Sequence, residues 1–242
     1  MSDDSSIVSG RRPVVELLRA GRPAERILVA RESASAQAMR EIRRLADGLA
    51  VPVRIVPRSE VEQAAAGTNH QGVVALTGRY RYTPLEKLLS APNAALLFCD
   101  GITDPHNLGS LLRSADGAGF SGVVIPARRA AGVTATVRRV SAGAAEIVPV
   151  ARVINLARAV DQAREAGVWV VGLDATAERD LFHAESVEPP LGLVLGAEDK
   201  GISPNVRKRC DDLVRIPSRG RLGSLNVAVA GAIAMFEVAR RS

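Results

Sequence analysis

Aromatic residues are scarce: phenylalanine, tyrosine and tryptophan make up 3% of 242 residues. That argues against a sheet that stacks nucleic-acid bases on exposed rings. Cysteine is nearly absent. Cys99 and Cys210 lie far apart with no CxxC spacing, so they read as reduced, buried thiols of a cytosolic protein. His70, His106 and His183 show no metal-ligand spacing, and no metal is expected. No apolar run reaches the roughly 20 residues of a membrane span. The opening Met-Ser-Asp-Asp-Ser-Ser is acidic and polar, unlike a secretory signal. A cytoplasmic protein with no membrane partner is the expectation.

What is abundant is arginine. Of 32 basic residues 29 are arginine, against 26 acidic ones, giving a net charge of +6 and a pI near 10.1. A planar guanidinium bonds two phosphate oxygens at once, so the excess is modest support for a nucleic-acid partner. The length suits one large domain or two small ones.

Taken in order, residues 7–20 carry a helical apolar face, with Pro13 tolerable only near the first turn. Arg26–Ala30, Val53–Val56 and Gly72–Thr77 are expected strands. Helices are expected over about 34–49 and 60–66, the second capped by Ser59 with Glu62 in the capping-box position. This is an alternating α/β module, too short for a full doubly wound domain. Near its end, Thr68-Asn-His-Gln-Gly72 is either a turn bonding its own backbone or an RNA contact. Residues 77–93 read as a linker plus a short helix, with Arg79 and Arg81 alternating with Tyr80 and Tyr82.

The remainder alternates again. Strands are expected at 95–99, 122–126, 146–150, 168–173, 191–195 and 213–216. Helices are expected at about 108–117, 133–142, 154–166, 204–210 and 225–240. Continuous apolar strands separated by helices imply a parallel sheet covered on both faces. No GxGxxG follows the first of these strands, which weakens a standard dinucleotide-binding reading.

Three loops after strands stand out, because open parallel sheets bind ligands beyond their strand C-termini. The first holds Asp104-Pro-His-Asn-Leu-Gly109, with Asn107 as a candidate helix cap. Arg113 lies about 140° round that helix from Leu108, where a merely solvated arginine would also sit. In Val137-Arg-Arg-Val140, Arg138 or Arg139 is a candidate phosphate contact. The second loop holds Gly196 and Gly201 around Glu198. The third runs from Ile216-Pro217 through a glycine turn to Ser224-Leu-Asn-Val-Ala-Val-Ala230, with Ser224 placed to cap the small-residue helix that follows.

Together these stretches closely resemble the three motifs of the SpoU (TrmH-type) RNA ribose 2′-O-methyltransferases, over about 95–240. The front module, with Ser9-Gly-Arg at its start and Thr68-Asn-His-Gln-Gly72 at its end, resembles the substrate-binding domain of the ribosomal-RNA guanosine branch. Ala228 departs from the pattern, where many relatives have serine. The resemblance implies a small N-terminal α/β substrate-binding domain (1–76), a linker (77–93) and a parallel-sheet SPOUT domain (94–242) ending in a deep trefoil knot. It implies S-adenosylmethionine bound at Gly196, Gly201, Ile216 and Leu225. Arg113, Asn107, Glu198, Ser224 and Asn226 would form the catalytic set. Arg11, Arg12, Asn69, His70 and Arg139 would meet RNA, which is ribosomal RNA in this branch. The family's enzymes are homodimers. A transfer-RNA methyltransferase, a resistance-type adenosine methyltransferase and a non-catalytic ribosome-assembly protein are the alternatives.

Overall fold

The chain is described by a computed structural model over residues 7–35, 37–185, 187–218, 220 and 225–241. It begins β1 (Ile7–Ser9), α1 (Arg11–Arg19), β2 (Arg26–Ala30), α2 (Gln37–Gly48), β3 (Val53–Val56), α3 (Arg58–Ala65) and β4 (Val73–Leu76). It continues α4 (Leu85–Leu89), β5 (Ala95–Cys99), α5 (Pro105–Gly117), β6 (Gly122–Pro126), α6 (Ala135–Val140), α7 (Ala144–Ile147) and β7 (Val150–Val153). Then come α8 (Leu156–Glu165), β8 (Trp169–Leu173), β9 (Arg179–Asp180), β10 (Leu191–Leu195), α9 (Pro204–Arg207), β11 (Asp212–Arg215) and α10 (Val227–Arg241).

The first apolar residues form a strand, not the start of a helix. Ile7, Val8 and Ser9 pair antiparallel with Leu76, Ala75 and Val74. Three residues have no periodicity of their own, and the partner strand supplies the hydrogen bonds that hold them extended. Gly10, at φ 103, turns the chain into α1, and Pro13 falls in the first turn, where no N–H is needed. The sheet order is β1-β4-β2-β3. Leu17, Ile27, Met39 and Ile42 fill one face; Leu28, Val56, Val61 and Val74 fill the other. α3 starts at Arg58 after Pro57, with no side-chain cap. Ser59 therefore lies inside the helix, and Glu62 pairs with Arg58 at 2.9 Å instead of closing a capping box.

The residues up to Arg81 form one unit together with Gly132–Ile147, and the remaining residues form a second. Within the first unit, α6 and α7 pack against α1 and β1 around a buried ion pair. Arg138 donates to both Glu146 carboxylate oxygens, at 2.6 and 3.2 Å, and also to Thr77 Oγ1 and the Ile7 carbonyl. Arg138 is thus enclosed rather than aimed at phosphate. Arg22 and Arg138 lie 5.0 and 5.6 Å from the Tyr80 ring centre, and Tyr80 donates its hydroxyl to the Ala145 carbonyl. Burial pushes the Tyr80 hydroxyl up to about 12. In the run 79–82 it is Tyr80 that turns inward, while Arg79 and Arg81 face solvent.

The second unit is built on one parallel sheet, β7-β6-β5-β10-β8-β11-β9. The expected strand at 146–150 is instead the end of α7 followed by β7 at Val150–Val153. Pro149, which has no N–H to donate, stands between α7 and β7, an edge strand. The chain leaves β5 toward β6 and β7, then returns to place β10 on the other side of β5. The strand order therefore switches between β5 and β10. One face packs Phe98, Val124, Val160 and Val194. On α10, a Cβ at Gly231 would come within 2.4 Å of the Leu111 side chain and 2.6 Å of Leu195. Only glycine there lets α10 approach so closely.

Removing one partner of a buried ion pair typically costs about 3–5 kcal/mol. Glu146→Ala should lose stability of that order in urea unfolding. Replacing both partners, Arg138→Met with Glu146→Leu, should lose clearly less. A single-variant loss below about 1 kcal/mol, the range of an exposed pair, would contradict the buried-pair account.

Candidate active site

Three loops meet at the C-terminal ends of β5 and β10. After β5, Asp104 caps α5: its Oδ1 accepts the His106 N–H at 2.8 Å, and Pro105 occupies the first helical position. The cap is thus Asp104, and Asn107 sits within the first turn instead of before it. That leaves the Asn107 side chain available, and its Oδ1 accepts from Asn226 Nδ2 at 3.0 Å.

After β10 the chain folds back on itself, with Ala197 and Gly201 exchanging backbone bonds of 3.1 and 2.8 Å. A Cβ at Gly196 would lie 2.0 Å from the Gly201 carbonyl carbon, so no other residue fits. Gly201 takes φ 64. This tight return presents Glu198, whose Oε1 accepts from Asn226 Nδ2 at 2.6 Å and from the Val227 N–H at 3.2 Å.

Asn226 completes the set. Its Oδ1 accepts the N–H groups of Ala228 and Val229, at 3.0 and 3.3 Å, so it caps α10. Its Nδ2 donates to both Asn107 and Glu198. One amide therefore satisfies a helix N-terminus and ties all three loops together. Glu198 also places a carboxylate at the positive end of α10. The expected cap, Ser224, lies outside the described residues.

Arg113 is not part of this cluster. It is exposed, six residues beyond Asn107, or about 9 Å along the helix axis at ~1.5 Å per residue. Its guanidinium takes no hydrogen bond among the described residues. Ile216 is half-buried just beyond β11, and Leu225 is 45% exposed. Among the described residues, the backbone groups of both stand outside the backbone hydrogen-bond network. An open aliphatic side chain there suits the apolar face of an adenine ring.

Burial pushes the thiols of Cys99 and Cys210 up to about 12, which disfavours the thiolate form. Among the described residues, no group of three or more His, Cys, Asp or Glu could hold a metal. None of the helices they form is long and apolar enough to cross a membrane.

The RNA-contact candidates of the other unit are spread. Arg11 is half-buried, its Nε donating to the Gln71 carbonyl at 3.1 Å; Arg12 and Asn69 are exposed. His70 is buried, and its Nδ1 accepts the Gly72 N–H at 3.1 Å. Thr68 donates to the Ala65 carbonyl. This is a turn that bonds its own backbone, and His70 offers no open face to RNA. Arg139 is half-buried, with a buried Nε that has no partner among the described residues. The role of Asn226 as a cap could have been read from its place immediately before the apolar helix, where asparagine is as good a cap as serine; its bridge to Asn107 and Glu198 joins loops distant in sequence and carries no local signal.

An open parallel sheet with three loops tied at its switch point is a ligand-binding α/β domain. Residues 94–236 match the family model described as SpoU rRNA Methylase family, and residues 7–83 match that for RNA 2′-O ribose methyltransferase substrate binding. The Bacillus subtilis protein YacO, assigned by name to the TrmH family of tRNA/rRNA methyltransferases, is 41% identical over 246 residues, covering 100% of this chain and 98% of YacO. The AdoMet-bound rRNA methyltransferase of Sinorhizobium meliloti superposes with a TM-score of 0.82 at 26% identity, over 98% of this chain and 87% of that one. AviRb of Streptomyces viridochromogenes, a SpoU methyltransferase solved with AdoMet, gives 0.82 at 26%, over 97% and 89%. The chain belongs to the SpoU rRNA methylase family.

Loss of an asparagine cap typically costs about 1 kcal/mol, up to about 2. Asn226→Ala should show a loss of that order in urea unfolding. Asn226→Asp keeps an acceptor for the helix N–H groups but sets a second carboxylate against Glu198, so it should not restore stability at neutral pH. An aspartate variant as stable as the parent would show that the bond to Glu198 is unimportant.

Proposed function

We propose that this protein transfers a methyl group from S-adenosylmethionine to a ribose 2′-hydroxyl of RNA, with a guanosine of large-subunit ribosomal RNA as the target. The observation that carries this is the Asn226 amide joining Asn107 and Glu198 at the sheet's switch point. It unites residues from all three motif loops in one place. The match of the front unit to a ribose-methyltransferase substrate-binding model supports the ribose oxygen as acceptor. The rRNA methyltransferase among the solved relatives supports ribosomal RNA. The name of YacO covers both tRNA and rRNA, so a transfer-RNA acceptor is the second reading.

The cofactor supplies a methyl group on a cationic sulfur, which an oxygen nucleophile can displace. The chain's own residues must do the rest. Gly196, Gly201, Ile216 and Leu225 bind the cofactor through main-chain groups and apolar contact. Asn107, Glu198 and Asn226, together with Ser224, hold the loops that position the acceptor ribose, which is an orientation task. Arg113 holds the phosphate beside that ribose and stabilises charge developing on the 2′-oxygen. A guanidinium stays protonated, so phosphate or water takes the hydroxyl proton. Arg11, Arg12, Asn69 and Arg139 add RNA affinity on the front unit. In this reading the C-terminal segment forms the family's knot, residues 1–76 act as the RNA-selecting domain, and the protein works in the cytoplasm. It acts as a homodimer. Val229 and Phe236, 48% and 52% exposed on α10, supply an apolar face for the second copy.

Arg113→Lys keeps the charge and loses the two-oxygen fork. It should bind S-adenosylmethionine normally in calorimetry and lose about 10²–10³ in single-turnover methylation, the cost of one transition-state donor. Arg113→Ala should be worse, and both variants should remain folded, since the side chain is exposed. Near-parent turnover in Arg113→Ala would remove Arg113 from the mechanism.

A further inference from the structure

A cleft of about 960 Å³ opens beside the tied loops, across the C-terminal ends of β7, β6, β5 and β10. Asn107 and Glu198 line one end of it; Arg128, Arg129 and Ile154 line the other. Ile216 follows β11, two strands beyond β10 in the sheet, and does not line it. Of the candidate cofactor residues, Gly201 lines this cleft, and Ile216 and Leu225 do not.

At the far end two neighbouring arginines stand together without acidic partners among the described residues, whereas several arginines of the unit are paired. Arg164, Arg179, Arg207 and Arg209 are each paired with an aspartate at 2.8–2.9 Å. Arg128 and Arg129 are exposed and take no acidic partner among the described residues. Arg129 is also held at φ 57, a left-handed conformation that side chains other than glycine and asparagine adopt rarely. Ile154 is 94% exposed, an isolated aliphatic surface at the rim. The cleft's acids are mostly engaged elsewhere. Asp100 accepts the Ser203 N–H at 2.7 Å, Asp104 caps α5, and Glu198 holds Asn226. Asp199 lies 3.9 Å from Lys200.

We propose that this cleft is the acceptor-strand subsite: Arg128 and Arg129 hold RNA phosphates flanking the target ribose, and Ile154 packs against the neighbouring base. The inference rests on the methyl-transfer reading above and adds residues to which no role has been given. It places the acceptor strand on the β5–β6–β7 side of the 197–201 loop and the cofactor on the β11 side. Methyl donor and acceptor then meet at the edge of that loop, beside Asn107 and Glu198, where Gly201 borders the cleft.

The test uses the full-length protein, S-adenosylmethionine labelled in its methyl group, and ribosomal RNA from cells lacking this protein, over a range of salt. Arg128→Gln combined with Arg129→Asn removes both charges, and asparagine tolerates the left-handed backbone. The pair should raise KM for RNA by about tenfold or more, as expected when charge-assisted bonds are removed. It should also flatten the dependence of log KM on log salt by about 0.7 for each phosphate no longer neutralised. Cofactor affinity and thermal stability should be unchanged. Arg128→Lys with Arg129→Lys should keep the salt slope, and Ile154→Ser should raise KM without altering it. A neutral pair with parent KM and slope, in the presence of parent activity, would overturn the cleft assignment alone. A parent protein that binds no S-adenosylmethionine and labels no RNA would overturn the methyl-transfer reading, and this proposal with it.

Discussion

The Asn226 side chain is the constraint on which the site depends. A single amide has one acceptor and one two-proton donor, and here all are committed. The oxygen takes the first free N–H groups of α10, and the nitrogen gives to Asn107 and Glu198. The rest of the domain makes that geometry possible. Gly196 permits the tight return that presents Glu198, and Gly231 lets α10 close on α5 and β10. Neither glycine is placed to touch a ligand through a side chain. Their contribution is close backbone approach, which brings loops distant in sequence within hydrogen-bonding reach.

The front unit rests on a different interaction. Arg138 and Glu146 follow β6 in sequence, yet pack with Thr77, Ile7 and Tyr80. A buried guanidinium is tolerable only when its donors are satisfied, and here they reach the partner carboxylate, a hydroxyl and a carbonyl. Deletion of residues 1–76 would therefore strip Ile7 and Arg22 from around a buried charge pair along with the substrate-binding module. Any experiment on a shortened chain has to account for that exposed pair before loss of activity is assigned to weaker RNA affinity.

Much of this was legible in the sequence. β2, β3, β5, β6 and β10 follow from continuous or alternating apolar runs that hydrophobic periodicity identifies, and the parallel class follows from their alternation with helices. The three loops were legible as candidate ligand loops because each follows such a strand. Other features were not. β1 is three residues long and owes its conformation to β4. The burial of Arg138 and His70 depends on tertiary neighbours, so both looked like surface contacts. The caps of α5 and α10 shifted by a few residues, from Asn107 to Asp104 and from the Ser224 position to Asn226. Several good capping residues stand close together there, and propensity does not choose among them. Nothing in the sequence marks the arginines at 128–129; their place in the cleft does.

The central claim is that the acceptor is a ribose oxygen of RNA. The most direct measurement is to incubate purified protein and methyl-labelled S-adenosylmethionine with ribosomal RNA from cells lacking it, digest the RNA to nucleosides, and identify the labelled species by mass spectrometry. The account predicts label in 2′-O-methylguanosine, with the adjoining phosphodiester resistant to alkali. Label confined to a base, or none in RNA although the protein binds S-adenosylmethionine, would contradict it.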